Sequence, residues 1–203
     1  MSRSANPWLA GGMLALLCVM GGTAIAAGAG SQQSLQQLMS LLAQRRHGEV
    51  TYTEKDYLSV LEGPLTSSGV LIYDAPDHLE KRTLKPKRES LVLQGSELTV
   101  QRGRHTYHLD LKSYPQVAPY VEAVRATLAG DLGGLESVFK VTFEGSLAHW
   151  KLGLVPLDRK AARQVRSIRI VGAEGNIRSV QIDKANGDRS VMRLGSPEGS
   201  PGR

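Results

Sequence analysis

Five histidines, His47, His78, His105, His108 and His149, are the residues of this chain best suited to acid–base or metal chemistry, and their spacing supports neither. No two of them stand four apart, as a helical metal pair requires, and the chain contains no Cys-x-x-Cys or Gly-x-Ser-x-Gly. His105 and His108 are three apart on an expected strand, which sends their side chains to opposite faces. The carboxylates Glu80, Glu89, Asp110 and Glu144 fall on or beside expected strands, with nothing to bring two of them together as an acid–base pair. Gly130-Asp131-Leu132-Gly133-Gly134 has the composition of a phosphate loop, but it follows a helix rather than a strand and reads as a helix terminus. The expectation is a chain with no catalytic residue, no metal and no cofactor. A hydrolase would need a nucleophile beside a base, and the pattern offers none.

The elements that would position a site begin with a leader. One early charge, Arg3, precedes an apolar run from Trp8 that is broken by Gly11-Gly12 and ends in the small residues Ala24-Ile25-Ala26. This is the pattern of a secretory signal peptide cut after Ala26; the run is too short and too interrupted for a membrane span, which needs about 20 apolar residues. Cys18 follows Leu17 instead of a small residue, so a lipoprotein signal is not expected. Cleavage would leave residues 27–203 without cysteine, because Cys18 is the only one, and the fold must then rest on its core alone. A length of this order suits one domain, expected over residues 27–195, with a disordered tail over 196–203.

Leu35, Leu38, Leu41 and Leu42 form an apolar stripe that predicts an amphipathic helix from Ser34. From Gly48 the period changes to two. Strands are expected at 49–54, 69–73, 79–84, 90–93, 97–102 and 105–111, separated by Ala75-Pro76-Asp77, Lys85-Pro86-Lys87, Gly95-Ser96 and Gly103. Val117, Tyr120, Val121, Val124 and Leu128 predict a second helical segment, after which strands resume at 140–144, 149–157, 165–171, 176–184 and 189–194. Consecutive hairpins of this number exclude a doubly wound α/β fold. They point to a mainly β (α+β) domain: one strongly curved antiparallel sheet, an unclosed barrel, with the two helical segments covering its inner face over either a hydrophobic cavity or a solid core, between which composition does not choose.

The formal charge of +6 falls to +5 without Arg3. The densest basic cluster, Lys81, Arg82, Lys85, Lys87 and Arg88, lacks interleaved aromatics and any nucleic-acid motif, so nucleic acid is not an expected partner. A basic surface suits anionic lipid head groups, at about 1 kcal/mol per residue near a membrane.

The order of these elements, with Gly69-Val70-Leu71-Ile72-Tyr73-Asp74-Ala75-Pro76-Asp77, Ala148-His149-Trp150-Lys151-Leu152-Gly153-Leu154-Val155-Pro156 and Ile177-Arg178-Ser179-Val180-Gln181-Ile182 before Gly187-Asp188, resembles the LolA-like periplasmic lipoprotein carriers over residues 34–194. The resemblance implies a half-barrel with a helical lid over a cavity for acyl chains. It also implies a monomeric periplasmic shuttle between an inner-membrane exporter and an outer-membrane acceptor. Lipoprotein carriers of this family usually have Arg immediately before the Pro of the first motif, where it helps hold the lid shut; here that residue is Ala75, which favours a non-protein lipid cargo. Alternation then nominates Val70, Ile72, Leu91, Leu93, Trp150, Leu152 and Leu154 as the cavity wall, and Leu38, Leu41, Leu42, Val117, Val121, Val124 and Leu128 as the lid. The competing reading is a periplasmic sensor or protein-interaction module built on the same half-barrel.

Overall fold

The period-two segments form eleven strands in the computed structural model, which describes residues 26–113 and 118–195. They are β1 (His47–Tyr57), β2 (Leu65–Asp74), β3 (His78–Lys85), β4 (Glu89–Gln94), β5 (Glu97–Arg102), β6 (His105–Asp110), β7 (Phe139–Ser146), β8 (His149–Pro156), β9 (Val165–Ala173), β10 (Asn176–Lys184) and β11 (Arg189–Leu194). Every neighbouring pair is antiparallel, and the order across the single sheet is β6-β5-β4-β3-β2-β1-β11-β10-β9-β8-β7. The sheet is not closed: β6 and β7 end it on opposite sides, and the seam between the two meanders is the pairing of β1 with β11. Tight hairpins require backbone that L-residues avoid, and Gly95 and Gly103 supply it at φ 58° and 61° in the turns flanking β5.

Four helices accompany the sheet: α1 (Ala26–Ala43), α2 (Ala118–Ala129), α3 (Leu132–Val138) and the single turn α4 (Arg159–Ala162). α1 begins earlier than its apolar stripe, at Ala26 instead of Ser34, and the added segment, which holds Gly28 and Gly30, has no apolar periodicity to announce it. The glycine run at 130–134 interrupts helix as expected, but a second helix follows: Asp131 caps α3, its carboxylate accepting from the Gly134 N–H at 2.8 Å. α4 is too short to show an apolar period in the sequence; Asp158 caps it by accepting from the N–H groups of Lys160 and Ala161. The leader before Ala26, Val117 and the tail beyond Gly195 lie outside the described residues.

Residues that register brings opposite one another share a face, so the inner face can be read across the sheet. It carries Phe139 and Val141 on β7, Trp150, Leu152 and Leu154 on β8, Ile168 and Ile170 on β9, Val180 and Ile182 on β10, Met192 and Leu194 on β11, Val50 and Tyr52 on β1, and Leu71 and Tyr73 on β2. α1 lays Leu35, Leu38, Met39 and Leu42 onto the β7–β9 part of this face, joined by Ala123 and Ala126 of α2 and Leu135 of α3, and these residues form one buried core. Trp150 is its largest member and is fully buried. Its indole N–H donates to the Glu174 carbonyl at 2.8 Å, and the ring occupies the space where a side chain at Gly172 would stand.

Candidate functional site

The core fills only half of the inner face. Over β10, β11, β1, β2 and β3 the helices stand off, leaving a recess of about 230 Å³. Its walls are Val50 of β1, Leu71 and Tyr73 of β2, Leu79 of β3, Ile177, Val180 and Ile182 of β10, and Met192 and Leu194 of β11, covered by Leu42 of α1 and by Val124 and Leu128 of α2. Burial pushes the Tyr73 phenol above its ordinary pKa, so it presents a neutral ring.

Two polar groupings interrupt this apolar lining, at opposite ends of β1. At the Gly48 end, Arg45, just past α1, donates from Nη2 to Asn176 Oδ1 at 2.8 Å and so ties the helix end to the start of β10. The Ala75 N–H donates to the neighbouring Arg46 carbonyl at 2.8 Å. At the other end, Glu54 meets Lys81 and Ser190.

The structure distributes the nominated wall residues among three places. Trp150, Leu152 and Leu154 face inward but lie in the solid core under α1, away from the recess, because alternation assigns a face without saying which part of it a helix fills. Val70 is on the opposite face: it stands across from Thr51, beside Leu84 and Arg193, and borders a shallow surface depression. Ile72 shares that register parity, opposite Glu49, yet borders the recess, while Leu71 and Tyr73 carry the inner-face positions of β2. Leu91 and Leu93 face inward on β4, across β3 from the recess, and do not border it.

Among the lid residues, Leu42, Val124 and Leu128 border the recess, Leu38 is buried in the core, Leu41 lies against Gly175 and Val121 is partly buried elsewhere on α2. Val117 falls outside the described residues. The basic cluster is split: Lys81 turns into the recess, Arg82 pairs with Glu80, and Lys85, Lys87 and Arg88 are exposed.

Sequence reasoning overlooked Glu54, Lys81, Arg45 and Asn176. For the first two a signal was present: each continues an otherwise apolar or aromatic alternation, Val50-Tyr52-Glu54 and Leu79-Lys81, and so marks a charge on a buried face.

A family model described as outer membrane lipoprotein carrier protein LolA-like matches residues 26–197. The chain belongs to this family. Its unclosed antiparallel sheet and inner-face helices are the LolA-like arrangement the sequence resemblance implied. Among solved structures it is similar to a LolA superfamily protein from Nitrosomonas europaea at 11% identity and TM-score 0.47, covering 82% of this chain and 92% of that one. It is similar also to the lipoprotein LppX from Mycobacterium tuberculosis at 11% identity and TM-score 0.45, covering 85% and 99%. A third likeness is to the Pseudomonas aeruginosa MucA/MucB complex at 12% identity and TM-score 0.44, covering 83% of this chain and 59% of that one. No curated protein matches the chain. Among the described residues of this LolA-like protein, no helix is long and apolar enough to cross a membrane and no group of three or more His, Cys, Asp or Glu side chains could hold a metal ion.

The Arg45–Asn176 tie makes a first prediction. Asn176→Ala removes the acceptor without touching the apolar lining, and the loss of one partly buried hydrogen bond to a charged donor is expected to cost about 1–2 kcal/mol. Faster hydrogen exchange confined to the last turn of α1 is the expected reading; exchange rates equal to those of the parent there would show that the tie does not hold the helix down.

Proposed function

We propose that this LolA-like protein is a periplasmic carrier that takes the acyl portion of a lipid or acylated molecule into the recess between its helices and sheet. In this reading it receives cargo from an inner-membrane exporter and delivers it to an outer-membrane acceptor, as a monomer released by signal cleavage after Ala26. The observation that carries the reading is the recess itself: an apolar wall drawn from β1, β2, β3, β10 and β11 under a cover made by Leu42, Val124 and Leu128.

The physics of such a carrier is direct. Each methylene moved from water into an apolar site gains about 0.8 kcal/mol, so a soluble shuttle must offer an apolar interior that opens at both ends of its journey. At about 230 Å³ the recess is a little smaller than the ~300–1,000 Å³ of ordinary ligand pockets. A full acyl chain therefore requires α2 and the end of α1 to move outward. The end of α1 is held to β10 by the Arg45–Asn176 bond, and the apolar contacts of Val124 and Leu128 can be replaced one for one by those of an acyl chain.

The test is native mass spectrometry of the chain purified from periplasm without detergent, with a solvent extract analysed in parallel. Stoichiometric lipid or acylated peptide is the expected result. A ligand-free mass that also refuses added lipid would overturn the carrier reading in favour of a protein-binding module.

A further inference from the structure

The end of the recess at Glu54 is built differently from the rest. Glu54 on β1, Lys81 on β3 and Ser190 on β11 all border it. The Lys81 ammonium donates to Glu54 Oε2, the Ser190 hydroxyl donates to Glu54 Oε1 at 2.8 Å, and Lys81 Nζ lies over the Tyr52 ring, 5.2 Å from its centroid. The two charged side chains are well shielded, at 13% exposure for Glu54 and 29% for Lys81. β2 lies between β3 and β1, so Lys81 spans the full width of a strand to reach its partner. Gly69 is the β2 residue between Tyr52 and Thr83, whose hydroxyls meet at 2.7 Å, and a Cβ there would stand 1.9 Å from the Arg82 carbonyl oxygen.

A part-buried pair of this kind adds little to stability on its own, since the cost of drawing its charges out of water offsets much of their attraction. Nor does a plain hydrocarbon gain from it, because alkyl groups laid on the pair would strip its remaining hydration without replacing it. A ligand that completes its hydrogen bonds does gain. An ammonium has three N–H donors, of which one serves Glu54 and the Tyr52 ring covers a second side. The pair is neutral overall, so it offers an anionic head group no net attraction, whereas an uncharged carbonyl oxygen can accept from Lys81 while Glu54 keeps both of its bonds.

We propose that Lys81, held by Glu54 and Ser190, is the specificity-determining residue of the recess, donating a hydrogen bond to the ester or amide carbonyl of an acylated ligand whose chain lies along Leu71, Val180 and Met192. This rests on the carrier reading and narrows it: the cargo is an acyl ester or amide, bound at its linkage, and is distinguished from an ether or a free hydrocarbon.

The experiment compares two probes that differ only in that carbonyl, 1-lauroylglycerol and 1-O-dodecylglycerol, by their displacement of a fluorescent acyl ligand from the purified chain. The ester is expected to bind about tenfold more tightly or better, the worth of one hydrogen bond to a charged donor. In Lys81→Met, and in the double variant Glu54→Gln with Lys81→Met, which leaves no unpaired buried charge, the ratio should fall to about one while the ether affinity stays within twofold. Equal affinities in the parent chain, or a preference that survives in the double variant even if its melting temperature moves, would overturn the inference and leave the cluster a structural feature. Failure of the fluorescent acyl ligand itself to bind would overturn the carrier reading and this inference with it, whereas a bound ligand that neither probe displaces would overturn this inference alone.

Discussion

Replacing Trp150 by alanine is expected to destabilise the protein by about 3–5 kcal/mol, the cost of emptying a large core site. Trp150 is fully buried where α1 crosses the β7–β9 half of the sheet. The wall behind it is Gly172, where an added Cβ would stand 2.1 Å from the indole Cζ2 and 2.4 Å from the Asn176 carbonyl oxygen. The substitution also strips the Glu174 carbonyl of its donor in a turn whose Glu174 already holds a left-handed φ of 53°. For a domain of this size the loss corresponds to a fall of roughly 10 °C in melting temperature, which thermal unfolding followed by circular dichroism would measure. A fall of only one or two degrees would mean that α1 and β8 repack freely, against the close fit described.

The second large effect concerns binding alone. Val124→Trp, on the α2 face that covers the recess, is expected to abolish acyl-ligand binding while leaving the melting temperature close to that of the parent. An indole added to a filled core forces strain of about 1–3 kcal/mol, whereas an indole added beside an opening simply occupies it. Each methylene of cargo then kept out forfeits about 0.8 kcal/mol, so exclusion of two weakens binding roughly tenfold. Titration of a fluorescent fatty acid, with thermal unfolding alongside, reads both quantities. Destabilisation with binding retained would place the ligand elsewhere.

Much of this architecture was legible in the residues because a sheet that covers one face writes its register into alternation. Val50-Tyr52 and Trp150-Leu152-Leu154 are apolar at every second position, and so the hairpins and their inward faces followed. The same rule failed on β2 for a definite reason. Val70, Leu71 and Ile72 are consecutive apolar residues, so no alternation chooses a face; the choice is made by pairing, with Gly69 opposite Tyr52 and Leu71 opposite Val50. The position of the recess was illegible on other grounds. It depends on where α1 ends and how α2 and α3 lie across the sheet, and Leu38 and Leu42, four residues apart on one stripe, belong one to the core and the other to both core and recess wall.

The sheet has its seam at the centre instead of at an edge. β1 and β11, the first and last strands of the chain, pair Tyr52 with Leu194, while each meander on either side is made of neighbours in sequence. Each arm can therefore assemble from local hairpins, but the strip of backbone that unites them closes only after nearly the whole polypeptide is present. Contacts of such long sequence separation carry the largest loop-closure entropy and belong to the slow, millisecond-to-second regime of folding. A chain fed N-terminus first across a membrane would thus arrive with one arm formed and its inner face bare, and would complete its interior only when the final hairpin came through.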